Sequence, residues 1–383
     1  MANTARNPTT KDPVALFTDL EPDPVRRRAG GGWVGWSLLG AAIVGVTVVA
    51  LLPAPYVIEK PGPVFDVLGD VTFDGEEVPL ITIPMEETFP TSGRLDMLTV
   101  NLSGNPDNLP TWFDVATAHL DPSRAVLPVA DVYPEGETPE QSAEQGRLDM
   151  ENSQKEAIAA AMNYLGYEVP STLTVASVIE GGPSQSILLD GDTIVSVNGV
   201  VPPDVTALRE LVAENGVSVP ADVVIIREGV EQTLRIQPEL SGGESPVPVI
   251  GIYVGSEYEF PFTVTIQLEN VGGPSAGMMF ALGIIDKLTE GSLTGGEHIA
   301  GTGTISSTGT VGPIGGIVQK MWGAQRAGAD WFLAPVANCA EVVGHVPPGL
   351  TVYSVETLDE AMIALATIRS DGPRDGIPTC VAS

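Results

Sequence analysis

The chain reads as an α+β protein, α/β-like in its C-terminal third, with a small mostly-β module ahead of that third and a single transmembrane helix near the start. Three observations predict this. A 20-residue apolar run, Trp33–Leu52, lies close to the N-terminus. Short strand-like stretches separated by turn residues cluster between 166 and 240. Strand and helix patterns then alternate from 247 to 370, the order of a layered α and β domain.

Residues 1–32 are polar and Pro-containing, and predict a disordered cytoplasmic tail. No charged residue lies between Ala29 and Ile58. About 20 residues at 1.5 Å each cross a hydrocarbon core roughly 30 Å thick. Arg26, Arg27 and Arg28 precede the run, and Lys60 is the nearest base after it, so the N-terminus is expected in the cytoplasm and everything after about residue 55 outside. A signal peptide has an apolar core of about 7–15 residues and an A-x-A-like cleavage site. Leu51-Leu52-Pro53-Ala54-Pro55 does not fit that pattern, and residues 33–54 are expected to be an uncleaved single-pass anchor in the cell membrane.

The formal net charge is −31, with only 18 Lys and Arg in 383 residues, which excludes nucleic acid as a partner. Cys339 and Cys380 are too few for a disulfide framework. In an oxidising compartment they can form one bridge that pins the C-terminal tail. Three histidines without ligand spacing predict no metal site, and no cofactor motif occurs.

Residues 55–165 form the first extracytoplasmic region, with strands at Tyr56–Glu59 and Arg94–Leu102 and an amphipathic helix over 140–165, where Ile158, Met162 and Leu165 share a face. Residues 166–240 form a compact unit: strands Leu173–Ile179 and Thr193–Asn198, a helix Asp204–Glu214, and a hairpin of Asp222–Arg227 and Gln232–Gln237 around Glu228-Gly229. Ser241–Pro246 reads as a linker. In 247–370 the expected elements are strands Val249–Val254, Phe262–Leu268, Ile299–Ile305, Trp331–Ala334 and Thr351–Ser354, and helices from Ser275, from Ile314 and over Leu358–Leu365. Residues 371–383 are a tail.

Ser275 stands in Gly272-Gly273-Pro274-Ser275-Ala276-Gly277, before a long apolar helix pattern. A serine at a loop-to-helix junction has free N–H donors nearby, here those of Gly272, Gly273 and Ala276, which can hold an oxyanion. The same pattern also describes an ordinary helix cap. Lys320 lies on a second helix, where Ile317, Lys320, Ala324 and Ala327 share an apolar face. Such a lysine either snorkels to water or, desolvated and neutral, serves as a base for a nearby hydroxyl.

Gly273-Pro274-Ser275-Ala276-Gly277, Thr302-Gly303, and Pro313-Ile314-Gly315-Gly316 ending in Lys320 resemble the serine–lysine proteolytic domain of Lon proteases, peptidase family S16, over residues 247–366. The resemblance implies that Ser275 is the nucleophile, Lys320 the base and Thr302 the residue that orients it. Two acidic positions of that family hold Gly272 and Thr304 here. No Gly-x-x-x-x-Gly-Lys-Ser/Thr occurs, so no ATP is expected to be used. With the anchor and Glu59-Lys60-Pro61-Gly62-Pro63, the whole arrangement is similar to the bacterial YlbL-type membrane proteases. This implies that part of 56–165 belongs to the proteolytic fold, with the small module inserted into it. It also implies homo-oligomers, hexameric in that family, and unfolded or tail-exposed proteins as substrates.

The small module resembles a PDZ domain, by its strands, its one helix and Ser196-Val197-Asn198-Gly199. Such modules bind an extended peptide as an added strand. Leu165-Gly166-Tyr167-Glu168-Val169 is the expected carboxylate loop, with Gly166, Tyr167 and Val169 as peptide-binding residues. Two other readings compete. Gly273-x-Ser275-x-Gly277 matches an α/β-hydrolase elbow, an esterase reading that needs His298 or His345 as base, although both read as loop residues. A non-catalytic anchored scaffold that binds tails of secreted proteins is the other.

Overall fold

The computed structural model describes residues 31–133 (side chains from 35), 138–242, 246–269, 271–370 and 377–381. The expected N-terminal tail therefore lies outside the described residues up to position 30, as do the centre of the linker (243–245) and most of the C-terminal tail. Two units are distinct, Met1–Ala50 and Leu51–Ser383. The first holds helix α1, Gly31–Ala50, over most of the segment expected to be the anchor. Among the described residues no helix is long and apolar enough to cross a membrane.

The second unit is built on two sheets. The larger combines strands from both ends of the chain: β1 (Tyr56–Asp66), β2 (Arg94–Ser103) and β3 (Ala125–Pro128) from before the small module, and three strands from after it. Helix α2, Pro139–Tyr164, follows, started by a Thr138–Gln141 capping box with Pro at its first position.

The small module has strands β4 (Ser171–Val178) and β5 (Thr193–Val197), then helix α3 (Val205–Asn215) capped by Asp204. The hairpin of β6 (Ala221–Arg227) and β7 (Val230–Ile236) turns at Glu228-Gly229, both at positive φ. Its fifth strand, β8 (Ile252–Tyr258), pairs antiparallel with β4, from Ile252 opposite Val178 to Tyr258 opposite Ser171, giving the order β7-β6-β5-β4-β8. Residues 249–254, expected in the following domain, belong instead with this module, a correction made by the pairing of β8 with β4. Ile250, Ile252 and Val254 pack into the small core with Leu173, Val175 and Ile225.

Helix α4, Gly277–Leu288, is buried on all sides from Gly277 to Asp286, as a helix apolar all round requires. Strand β9 (His298–Gly301), helix α5 (Ile317–Ala327), strands β10 (Trp331–Pro335) and β11 (Thr351–Val355), and helix α6 (Leu358–Ile368) complete the fold. The large sheet runs β11-β10-β9-β2-β1-β3, parallel from β11 to β2 and antiparallel beyond.

Three further expectations are corrected. Of Phe262–Leu268 only Thr265–Ile266 forms a strand, against Ile81–Thr82. The alternation there places Phe262, Val264, Ile266 and Leu268 against the large core, without a continuous ladder partner. Ile299–Ile305 breaks at Thr302-Gly303, and Thr304–Ile305 turns away to pair with Val311–Gly312. The helix expected from Ile314 begins at Ile317, after Gly316 in the left-handed region.

Cys339 and Cys380 are bonded, with Cα atoms 4.9 Å apart, and tie residues 377–381 to the body of the unit. Closing a loop of this length stabilises by about 2–4 kcal/mol. Cys380→Ser is therefore expected to lower the melting temperature by several degrees under non-reducing conditions, and a reductant should bring the wild type to the same value.

Candidate active site

Ser275 lies in the turn before α4, whose cap is Ala276, so the helix starts two residues later than expected from the sequence. The turn is gripped from both sides. On one side, Ser153 Oγ of α2 donates to the Pro274 carbonyl at 2.8 Å, and the Gly273 N–H donates to the Gly146 carbonyl at 2.8 Å. Gly272 sits so close to α2 that a β-carbon on it would lie 3.2 Å from Cα of Gly146. On the other side, the Gly303 N–H donates to the Ser275 carbonyl at 2.9 Å, and the Met278 N–H to the Gly303 carbonyl at 3.1 Å. The break in the expected strand at Thr302-Gly303 thus brings those residues against the Ser275 loop.

Lys320 is on the inner face of α5 with Ile317, Met321 and Ala324, and is only 2% exposed. Ala327, expected on the same face, is exposed at the last turn. Nζ lies 2.7 Å from Ser275 Oγ and 3.0 Å from Thr302 Oγ1. Thr302 is fully buried, and its hydroxyl donates to the Ser275 carbonyl at 2.9 Å. With its hydrogen committed there, Oγ1 can only accept from the amine. A neutral amine has two N–H bonds and one lone pair, so an N–H given to Thr302 leaves the lone pair for the Ser275 hydroxyl. Desolvation, opposed by the Glu59 charge, lowers the Lys320 pKa from 10.5 to about 7. Such a change takes roughly 5 kcal/mol of selective destabilisation of the charged form. The arrangement can therefore deprotonate an alcohol near neutral pH.

A cleft of about 190 Å³ opens on Ser275, between Met97, Thr99 and Asn101 of β2 and Met150 of α2, with Val271 and Gly272 at its rim. Residues 270–367 match the profile of the Lon protease (S16) C-terminal proteolytic domain. This segment is similar to Lon-type proteolytic domains. Lon protease 1 of Sorangium cellulosum is 39% identical over 109 residues, 27% of this chain and 13% of the relative. The Lon protease of Haemophilus influenzae is 37% identical over 93 residues, 24% of this chain and 11% of the relative. The chain thus spans about an eighth of the length of these relatives. Among solved structures, the PDZ domain of an SdrC-like protein from Listeria monocytogenes aligns with 21% of this chain and 85% of its own. Its identity is 18% and its TM-score 0.20, a level that supports no inference.

The fold brings Ser275, Lys320 and Thr302 together, and it distinguishes among the expected oxyanion donors. The Gly273 N–H is committed to Gly146 and is corrected. Among the described residues, no acceptor takes the N–H groups of Gly272, Ser275 or Ala276. The esterase reading loses its base, because the group in reach of Ser275 is Lys320. His298 belongs to β9, not to a loop, and its Nε2 lies 2.6 Å from Asp96 Oδ2.

The expected carboxylate loop is also corrected. Gly166, at φ +89°, donates to the Asn163 carbonyl, and Tyr167 N–H donates to the Met162 carbonyl. That pair of bonds is the Schellman stop of helix α2, and it uses both donors. The Tyr167 ring meets Phe262 edge-on, and Val169 packs on the large core.

Sequence reasoning missed Gly146 and Ser153, and the role of α2 at the small module. Asn152 Nδ2 donates to the Val254 carbonyl, its Oδ1 accepts from Ser256 N–H, and Lys155 Nζ donates to the Ser256 carbonyl. One helix thus contacts both the Ser275 loop and the edge of β8. The polar residues of α2 were visible in the sequence, but nothing local says what they face.

Proposed function

We propose that the protein is an ATP-independent serine endopeptidase using a Ser275–Lys320 dyad. The observation that carries this reading is the 2.7 Å approach of a buried lysine amine to a serine at the mouth of a cleft. Lys320 Nζ takes the Ser275 proton as Oγ attacks the peptide carbonyl. The oxyanion is held by backbone N–H groups of the Gly272–Ala276 turn. As the tetrahedral intermediate collapses, Lys320 returns the proton to the leaving amine, and an acyl–serine remains. Water, deprotonated by the same amine, then hydrolyses the ester and restores Ser275. Thr302 keeps the lysine lone pair on the reaction axis throughout.

The reading extends to the rest of the chain. Residues 33–54 anchor the protein as a single-pass membrane protein, with the catalytic unit extracytoplasmic and assembled as a homo-oligomer. The PDZ-like module recruits unfolded segments or exposed tails by strand addition at β8, where an incoming strand displaces Asn152 and Lys155. Full-length protein in detergent is expected to hydrolyse casein at the same rate with and without ATP. A requirement for nucleotide would contradict the motor-free part of the reading, and intact casein after prolonged incubation would contradict the peptidase reading.

A further inference from the structure

Lys320 feels one charge from outside the segment that matches the Lon-type domain. Glu59 lies on β1, opposite Leu102 of β2 and Ala125 of β3, and is 9% exposed. Its carboxylate abuts the amino end of α5. A β-carbon on Gly316 would lie 2.6 Å from Glu59 Oε1 and 3.1 Å from its Cδ, and Gly316 is held at φ +68°. Only glycine satisfies both the conformation and the contact. The Lys320 N–H donates to the Gly316 carbonyl, so the carboxylate sits one helical turn from the lysine backbone, at the positive end of the helix. The acidic positions that the family resemblance implies hold Gly272 and Thr304 in this chain.

We propose that Glu59 is the acidic partner of the Ser275–Lys320 pair, a positioning residue that acts on the lysine by charge and braces the amino end of α5. The inference rests on the dyad reading. Burial raises the Glu59 carboxyl above its ordinary value; the Lys320 charge lowers it and Glu341 raises it. These are the titratable groups that act on Glu59. For Lys320, burial favours the neutral amine and Glu59 the ammonium, so the two together set where the base titrates.

The test is the pH dependence of kcat/KM for casein hydrolysis by the full-length protein in detergent. Wild type, Glu59→Gln, Glu59→Met and Glu59→Asp are compared, with Lys320→Ala as control. Removing the charge in Glu59→Gln moves the acid-side midpoint down by roughly half a pH unit or more. Glu59→Met, apolar and of similar volume, does the same and serves in its place if Glu59→Gln does not fold. Glu59→Asp keeps the wild-type midpoint, a rescue that a packing role alone does not produce. Coincident midpoints in wild type, Glu59→Gln and Glu59→Met, with Lys320→Ala inactive, overturn the inference and leave the dyad intact. Activity in Lys320→Ala overturns the dyad and the inference with it.

Discussion

Ser275→Ala is expected to lower kcat/KM for peptide hydrolysis by at least about a thousandfold, while the fold is kept. The hydroxyl is the only group removed, and the backbone that places it is held without it. Pro274 is bound by Ser153, Gly273 by Gly146 and the Ser275 carbonyl by Thr302 and Gly303. The oxyanion donors therefore stay in place, and what remains is catalysis by positioning alone. A melting temperature within a degree or two of wild type, with activity lost, would meet the expectation. Activity within tenfold of wild type would mean that another residue attacks.

Lys320 carries the second large effect, and its sign depends on protonation. The active form is the neutral amine, with a pKa near 7, so kcat/KM rises with pH through about 7 and levels above it. Lys320→Arg is expected to be as inactive as Lys320→Ala, because a guanidinium stays charged throughout this range. Stability should rise with pH as well. The folded-state pKa is below that of the unfolded chain, so between about 7 and about 10.4 the unfolded state binds more protons and stability rises with pH. Lys320→Met is thus expected to raise the melting temperature, most clearly below pH 7, with the gain fading toward pH 10. An active Lys320→Arg would contradict the base role.

Much of this site was legible because its signals are local. Pro and Gly around Ser275 mark a turn, and the apolar spacing of α5 puts Lys320 inside. The hairpin at Glu228-Gly229 follows from turn chemistry, and the long helix α2 from the helical spacing of Ile158, Met162 and Leu165. What was not legible depends on partners distant in sequence. Residues 252–258 alternate like any strand, and only pairing with Ser171–Val178 assigns them to the small module. Gly166 reads equally as a binding loop or a helix stop until Asn163 accepts its N–H and Met162 that of Tyr167. Gly146 and Ser153 carry no motif of their own, and Glu59, within Glu59-Lys60-Pro61-Gly62-Pro63, gives no local sign of what it faces. They reach the site because α2 and β1, far earlier in the chain, belong to the same fold as the matched segment.

Activation of Ser275 as a nucleophile by Lys320 is tested most directly by treating the full-length protein with a fluorophosphonate probe, followed by peptide mass spectrometry. One adduct is expected, on Ser275, forming faster as pH rises through about 7 and absent in Lys320→Ala. An unlabelled Ser275 in folded wild-type protein above that pH, or equal labelling in Lys320→Ala, would contradict it.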